Sequence, residues 1–288
     1  VSDTLRVRLY NVRFGDAVLV RVPDRDPQTN VVTPRHILID MGNAPLVASP
    51  EGGDDSVFKP VFDDIVAELG GRPVDLYVMT HEHLDHVQGL PHAAWKTYPG
   101  PQFAAKLRVD HAWLTGSADP TYYDTHPEAK KKKLAFRAMY DRIERYLLAV
   151  GGETPAPFRR FLAINNPTST AECVKFLRGL APPGRTSYVH RSVGTPAGAA
   201  PLFDPAGTHP FTEAQFEIWA PEEDTSGYYG HFQPLWLGDD AGGPVAGLAV
   251  ADPRPPAGVD AGAFYNLVEA RRRGISDNLL AIDKAENN

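Results

Sequence analysis

Apolar and polar residues alternate from the start of the chain. Leu5, Val7 and Leu9 interleave with Arg6, Arg8 and Tyr10, the period of a half-buried strand. Gly15-Asp16 turns the chain into a second apolar stretch at 17–22. A polar loop at 24–30 leads to Val31-Val32 and then to His36-Ile37-Leu38-Ile39-Asp40, and Met41-Gly42-Asn43 ends the run. Two or three antiparallel strands fit this stretch best. Between 58 and 69 the period changes: Val61, Ile65, Val66 and Leu69 recur at helical spacing, and Gly70-Gly71 stops them. Residues 74–79 form a short apolar run, read as a buried strand, and 107–114 read as another.

Further helices are predicted over 127–150, striped by Phe136, Met139, Ile143 and Leu147, and over 168–180, with Ser169 or Thr170 as cap. Strands follow at 187–190 and 214–219, and a last helix at 263–273. The stretches 191–210 and 238–262 are dominated by Gly, Ala and Pro; the second reads as a flexible loop. Strands and helices mix without strict βαβ alternation and without internal repeats. That pattern indicates one layered α/β (α+β) domain over 1–288 rather than a Rossmann sheet.

Bulk composition narrows this only slightly. With 288 residues, 42% hydrophobic and 23% charged, the chain can bury a sizeable core. A net charge of −7 argues against a broad nucleic-acid footprint, while leaving room for a small-molecule or phosphoester substrate. The run Lys130 to Lys133 reads as a solvated helix face, with a phosphate-binding patch as the alternative. The single cysteine, Cys173, rules out an internal disulfide and a thiolate-rich zinc site, and reads as a small buried apolar residue. No apolar stretch long enough for a membrane span and no signal peptide is visible, so a cytoplasmic protein is expected.

Chemistry concentrates directly after the strand at 74–79, in His81-Glu82-His83-Leu84-Asp85-His86. Neutral imidazoles and a carboxylate are ligands that Zn²⁺, Fe²⁺ or Mn²⁺ accept. His81 and His83, two apart in an extended segment, fall on one side and can clamp one ion; Asp85 and His86, on the turn that follows, can reach a second. Two ions ~3.5–4 Å apart can hold a hydroxide and stabilise the oxygens of a displacement. A helical HExxH zinc site fails on spacing, because position 85 is Asp rather than His.

The segment from Thr80 to Leu90 resembles the HxHxDH signature of the metallo-β-lactamase superfamily, including the trailing Gly89. The stretches 11–20 and 37–42 resemble the first strands of one branch, which includes the hydrolase-like domain of bacterial DNA-uptake channels. The resemblance covers the first third of the chain. It implies a four-layer αββα sandwich of two similar halves and a metal-dependent hydrolase acting on phosphoesters, other esters or amides through a metal-held hydroxide. It further implies two Zn²⁺ ions, His81 and His83 on the first, Asp85 and His86 on the second, with Asp85 also steering the nucleophilic water. Asp40 becomes a carboxylate behind the ligands or a strand-end cap.

The second half of such a sandwich supplies a bridging Asp after an apolar strand ending in Gly-Asp, and a later His. Asp239, in Leu235-Trp236-Leu237-Gly238-Asp239, carries the letters but follows too short a run. The segment 276–288 is similar to the one that precedes the Gly-Asp strand in this branch. The expectation is therefore an N-terminal portion of a longer protein, lacking the C-terminal part of the second half. His111 and His190 are weaker candidates for an extra ligand. Tyr228-Tyr229 and Trp236 could belong to a substrate lid. Two other functions stay open: a non-enzymatic metal-binding or scaffolding module, and a di-iron redox protein.

Overall fold

The computed structural model describes residues 4–43, 55–149, 167–191 and 207–226. Six strands form one mixed sheet whose spatial order is the order of the sequence. They are β1 Arg6–Leu9, β2 Val18–Arg25, β3 Val32–Ile39, β4 Leu76–Val78, β5 Ala112–Thr115 and β6 Thr186–Val189. β1, β2 and β3 pair antiparallel; β3 to β6 pair parallel, which requires crossover connections. Helix α1 (Asp55–Leu69) makes the first crossover. The short helices α2 (Leu84–Val87), α3 (Gly89–His92) and α4 (Pro101–Lys106) lie in the second. Helix α7 (Pro167–Arg178) leads into β6. The chain is therefore of mixed α/β class, and among the described residues no helix is long and apolar enough to cross a membrane.

The two faces of the sheet are covered differently. On one, Leu19, Leu38, Tyr77, Ala112 and Leu114 join Phe58, Phe62, Ile65 and Leu69 of α1 and Cys173, Val174 and Leu177 of α7 in the main core. Each such fully buried large side chain contributes about 1.5–3 kcal/mol, which is what docks the helices. The other face, with Ile37, Leu76, Trp113 and Val189, packs a smaller cluster with Phe211, Phe216 and Ile218. Trp113 is pinned there by donating its indole N–H to Thr208 Oγ1 at 3.0 Å.

Several expectations shift. The apolar runs expected as separate stretches at 31–32 and 36–40 merge into one strand, β3 (Val32–Ile39), which runs through Pro34; Pro34 faces Pro23 of β2, so two residues without an N–H oppose each other in the register. Helix α1 begins at Asp55 rather than 58, and Gly70 (φ 58°) and Gly71 (φ 85°) end it as expected. The strand expected over 107–114 shrinks to β5, with Val109 making only an isolated bridge to Val74. The segment 214–219 keeps a two-residue burial period, with Phe216 and Ile218 inward and Trp219 outward, but forms no strand.

The alternation in β1 is present with its faces exchanged. Leu5, Val7 and Leu9 are exposed, while Arg8 turns inward to donate to Asp64 and Glu68 of α1. Helix α6 (Pro127–Ala149) covers the expected span 127–150, and α7 and β6 sit within two residues of theirs. The expected helix at 263–273, the loop at 238–262, Asp239, Tyr228, Tyr229 and Trp236 lie outside the described residues.

The chain separates into two compact units. The first, residues 1–122 and 164–223, carries the sheet, α1 to α4 and α7. The second, residues 123–163 and 224–288, carries α6, and the boundary falls within the short helix α5 (Tyr122–Thr125). In the second unit Lys130 pairs with Asp124 at 3.1 Å, Lys132 donates to the Ser226 carbonyl at 2.6 Å and Lys133 donates to Tyr123 Oη at 3.0 Å. Those contacts occupy three of the four lysines of the run with internal partners, which disfavours the phosphate patch.

Candidate metal centre

The parallel strands β3, β4, β5 and β6 all deliver their carboxyl ends to one edge of the first unit, where open α/β sheets hold their ligands. Asp40 follows β3, Thr80 and His81 follow β4, and Gly116-Ser117 and His190 follow β5 and β6. The cluster residues lie on the short approach to α2. His83 caps that helix in extended conformation, and Asp85 and His86 sit inside its single turn. The turn expected for Asp85 and His86 is a single helical turn.

His81, His83 and His86 are gathered. The rings of His81 and His86 have centroids 3.8 Å apart, and those of His81 and His83 are 4.7 Å apart, edge to face. Asp85 Oδ2 lies 3.6 Å from His86 Nε2. Thr80 Oγ1 is 3.0 Å from His81 Nδ1. Burial, then the neighbouring His86 and His83, pull the His81 pKa down to about 3, so this ring is neutral at pH 7 with a lone pair to offer.

Asp40 holds the group together. It is 1% exposed and adopts φ 51°, a left-handed conformation that Asp tolerates better than most residues. Its Oδ1 accepts the Thr80 backbone N–H at 2.8 Å; its Oδ2 accepts the Thr80 hydroxyl and lies 3.0 Å from His86 Nδ1. Binding Nδ1 fixes the imidazole orientation and leaves Nε2 as the nitrogen for a metal. Burial works against charging His86, but the hydrogen bond to Asp40 and the charges of Asp40, Asp85 and Asp16 outweigh it and raise the pKa.

Asp16 is the functional candidate that sequence reasoning passed over as a turn residue. Its Oδ2 is 3.6 Å from His86 Nδ1, and among the described residues Asp16, Asp40 and His86 form the one group of three candidate ligands with donor atoms within 4.8 Å of one another. The backbone explains why. Asp16 N donates to Asp85 O, Gly42 N to Asp16 O, Met41 N to His86 O and Gly89 N to Met41 O. A Cβ on Gly42 would lie 2.0 Å from the Asp85 carbonyl carbon, and one on Gly15 2.4 Å from its oxygen. Both glycines are therefore required for the loops to close on α2.

The other expected positions divide. His190 reaches the same edge, where its ring lies against Gly116. His111 precedes β5 and so stands at the opposite end of the parallel strands, with Nδ1 buried and without a hydrogen-bond partner. Cys173 is buried, and burial, then Glu172, push its thiol up to about 12, so it is no nucleophile.

The donor set suits a divalent cation of borderline character. His81, neutral by burial, touches the rings of both His83 and His86, and the charges of Asp40, Asp85 and Asp16 around His86 are ones a cation would balance. No known family's model matches the chain, and no curated protein matches it.

Proposed function

We propose that this chain is a metal-dependent hydrolase of metallo-β-lactamase type, whose described sheet is one half of an αββα sandwich. One observation carries the reading: His81 touches both His83 and His86 at the carboxyl ends of the parallel strands, with His86 Nδ1 held by buried Asp40 and Nε2 turned toward Asp85. His81 and His83 would hold one Zn²⁺, and Asp85 and His86 another, with Fe or Mn as the substitutes this donor set accepts. Bound there, the cations would supply a water of lowered pKa and polarise a substrate oxygen.

The chain's own contribution is orientation. Asp40 and Thr80 fix the approach to α2, and the glycines let the loops close beneath it. Asp85, 3.6 Å from His86 Nε2, is placed to accept a proton from an attacking water. Phosphoesters, other esters or amides are the substrate class, in the form of small molecules.

The test is zinc content by elemental analysis together with hydrolysis of bis(p-nitrophenyl) phosphate and p-nitrophenyl acetate. The wild-type chain is expected to retain zinc. His81→Ala and Asp85→Asn should each lower bound metal and any hydrolysis together, and unchanged metal in both variants would sink the proposal.

A further inference from the structure

Glu82 lies between two candidate ligands, yet its side chain leaves them. In an extended segment successive side chains alternate. His81 and His83 meet each other at 4.7 Å, and Glu82 turns the other way, where Ser117 Oγ donates to its Oε1 at 2.7 Å. Ser117 belongs to the 3₁₀ turn Gly116–Ala118 that leaves β5, the strand next to β4.

That turn is itself fixed on three sides. Thr115 Oγ1, at the buried end of β5, is 3.3 Å from Ser117 Oγ. Arg178 of α7 donates from Nε to the Ala118 carbonyl at 2.5 Å. Gly116 backs onto His190 at the end of β6, where a Cβ would sit 3.4 Å from the imidazole Cδ2. The ligand segment is therefore held from both flanks: from β3 by Asp40 through Thr80 and His86, and from β5 by Ser117 through Glu82.

We infer that Ser117 and Glu82 form a positioning pair that sets the His81–His83 half of the centre, and that their hydrogen bond tightens metal binding. The pair acts on the metal without ligating it. The inference rests on the proposed metal centre and goes beyond it, because a centre held by Asp40 alone would bind metal equally well without Ser117. Partners that orient ligands change metal affinity typically ~10–100-fold when removed.

The experiment is titration of the metal-free chain with Zn²⁺ against a competing chelator, and with Co²⁺ followed by its visible absorption. Ser117→Ala and Glu82→Ala are each expected to weaken Zn²⁺ binding about tenfold and to shift the Co²⁺ bands. The double variant should be no weaker than either single one, since both remove the same bond. Ser117→Thr, which keeps the hydroxyl, should restore affinity. Wild-type affinity in Ser117→Ala, with the wild-type chain binding Zn²⁺, overturns the pair and leaves the metal centre standing. Failure of the wild-type chain to bind either metal overturns both. Additive losses in the double variant, or no rescue by Thr, assign the two residues to general stability instead and overturn the pair.

Discussion

Strand β3 buries a histidine in its middle and supports another just beyond its carboxyl end, and the two are treated in opposite ways. In mid-strand His36 is fully buried, and neither ring nitrogen has a hydrogen-bond partner. Burial, then the charge of Arg72, draws its pKa down to about 4. At the carboxyl edge Asp40 engages His86 at 3.0 Å, and there the pKa rises against the pull of burial. Burial alone therefore does not decide how a histidine is charged. What decides it here is a buried carboxylate whose own hydrogen bonds are complete. The middle of the strand also has buried carboxylates nearby, Asp24 and Asp75, but their oxygens are taken by Arg35 and backbone N–H groups.

The largest effect should follow from breaking the carboxyl end. Asp40→Ala leaves the Thr80 N–H, the Thr80 hydroxyl and His86 Nδ1 without their acceptor at a site 1% exposed. Removing one member of a buried charged network costs about 3–5 kcal/mol. Asp40→Asn keeps an acceptor for Thr80 and tolerates the left-handed backbone, so about 1–3 kcal/mol is expected. Chemical denaturation of the metal-free variants ranks them. A loss under about 1 kcal/mol for Ala would show that Asp40 is not the organiser.

How much of this was legible beforehand differs from place to place too. The cluster at 81–86 announced itself, because three histidines in six positions after an apolar run are a local pattern. Asp40 was visible only as a strand-end carboxylate, and Asp16 and Ser117 carried no local signal at all. Their roles depend on contacts with Asp85, His86 and Glu82 from 35 to 70 positions away in sequence, as between Ser117 and Glu82 or Asp16 and His86. The apolar runs of β4, β5 and β6 were read as strands, but their parallel pairing was hidden, because β4 has three residues and β5 four, too short for a period to speak. In β1 the period was correct and the face was not. The ion pairs of Arg8 with Asp64 and Glu68 are long-range, and they turn the charged side toward α1.

His36 offers the intermediate effect, and its sign follows from linkage. Its ordinary pKa is 6.5 and its folded pKa about 4, so the unfolded chain takes up the proton first. The stability it contributes is present above pH 6.5 and is lost as pH falls toward 4, by about 3 kcal/mol at most. Arg72, Arg21 and Arg8 oppose a charged ring, and Glu68 favours one. His36→Phe keeps the shape and cannot take up the proton. Its stability should therefore fall less steeply than the wild type's between pH 6.5 and 4. Parallel curves for the two proteins across that window would show that His36 is already satisfied in the folded chain.

The smallest effect lies on the outer face of β1 and tests whether the exchange of faces is real. Leu9 is 79% exposed, whereas Leu38, two strands over on the helix-covered face, is 0% exposed. Leu38→Ala should cost about 2–5 kcal/mol through lost burial and the cavity it leaves. Leu9→Thr removes little buried area and keeps a β-branched side chain that a strand favours, so a change within about 0.5 kcal/mol is expected. Denaturation midpoints of the two variants measure the contrast on one sheet. A cost at Leu9 approaching that at Leu38 would mean that β1 buries its apolar side after all. The ion pairs of Arg8 would then not be what turns the charged side of β1 toward α1.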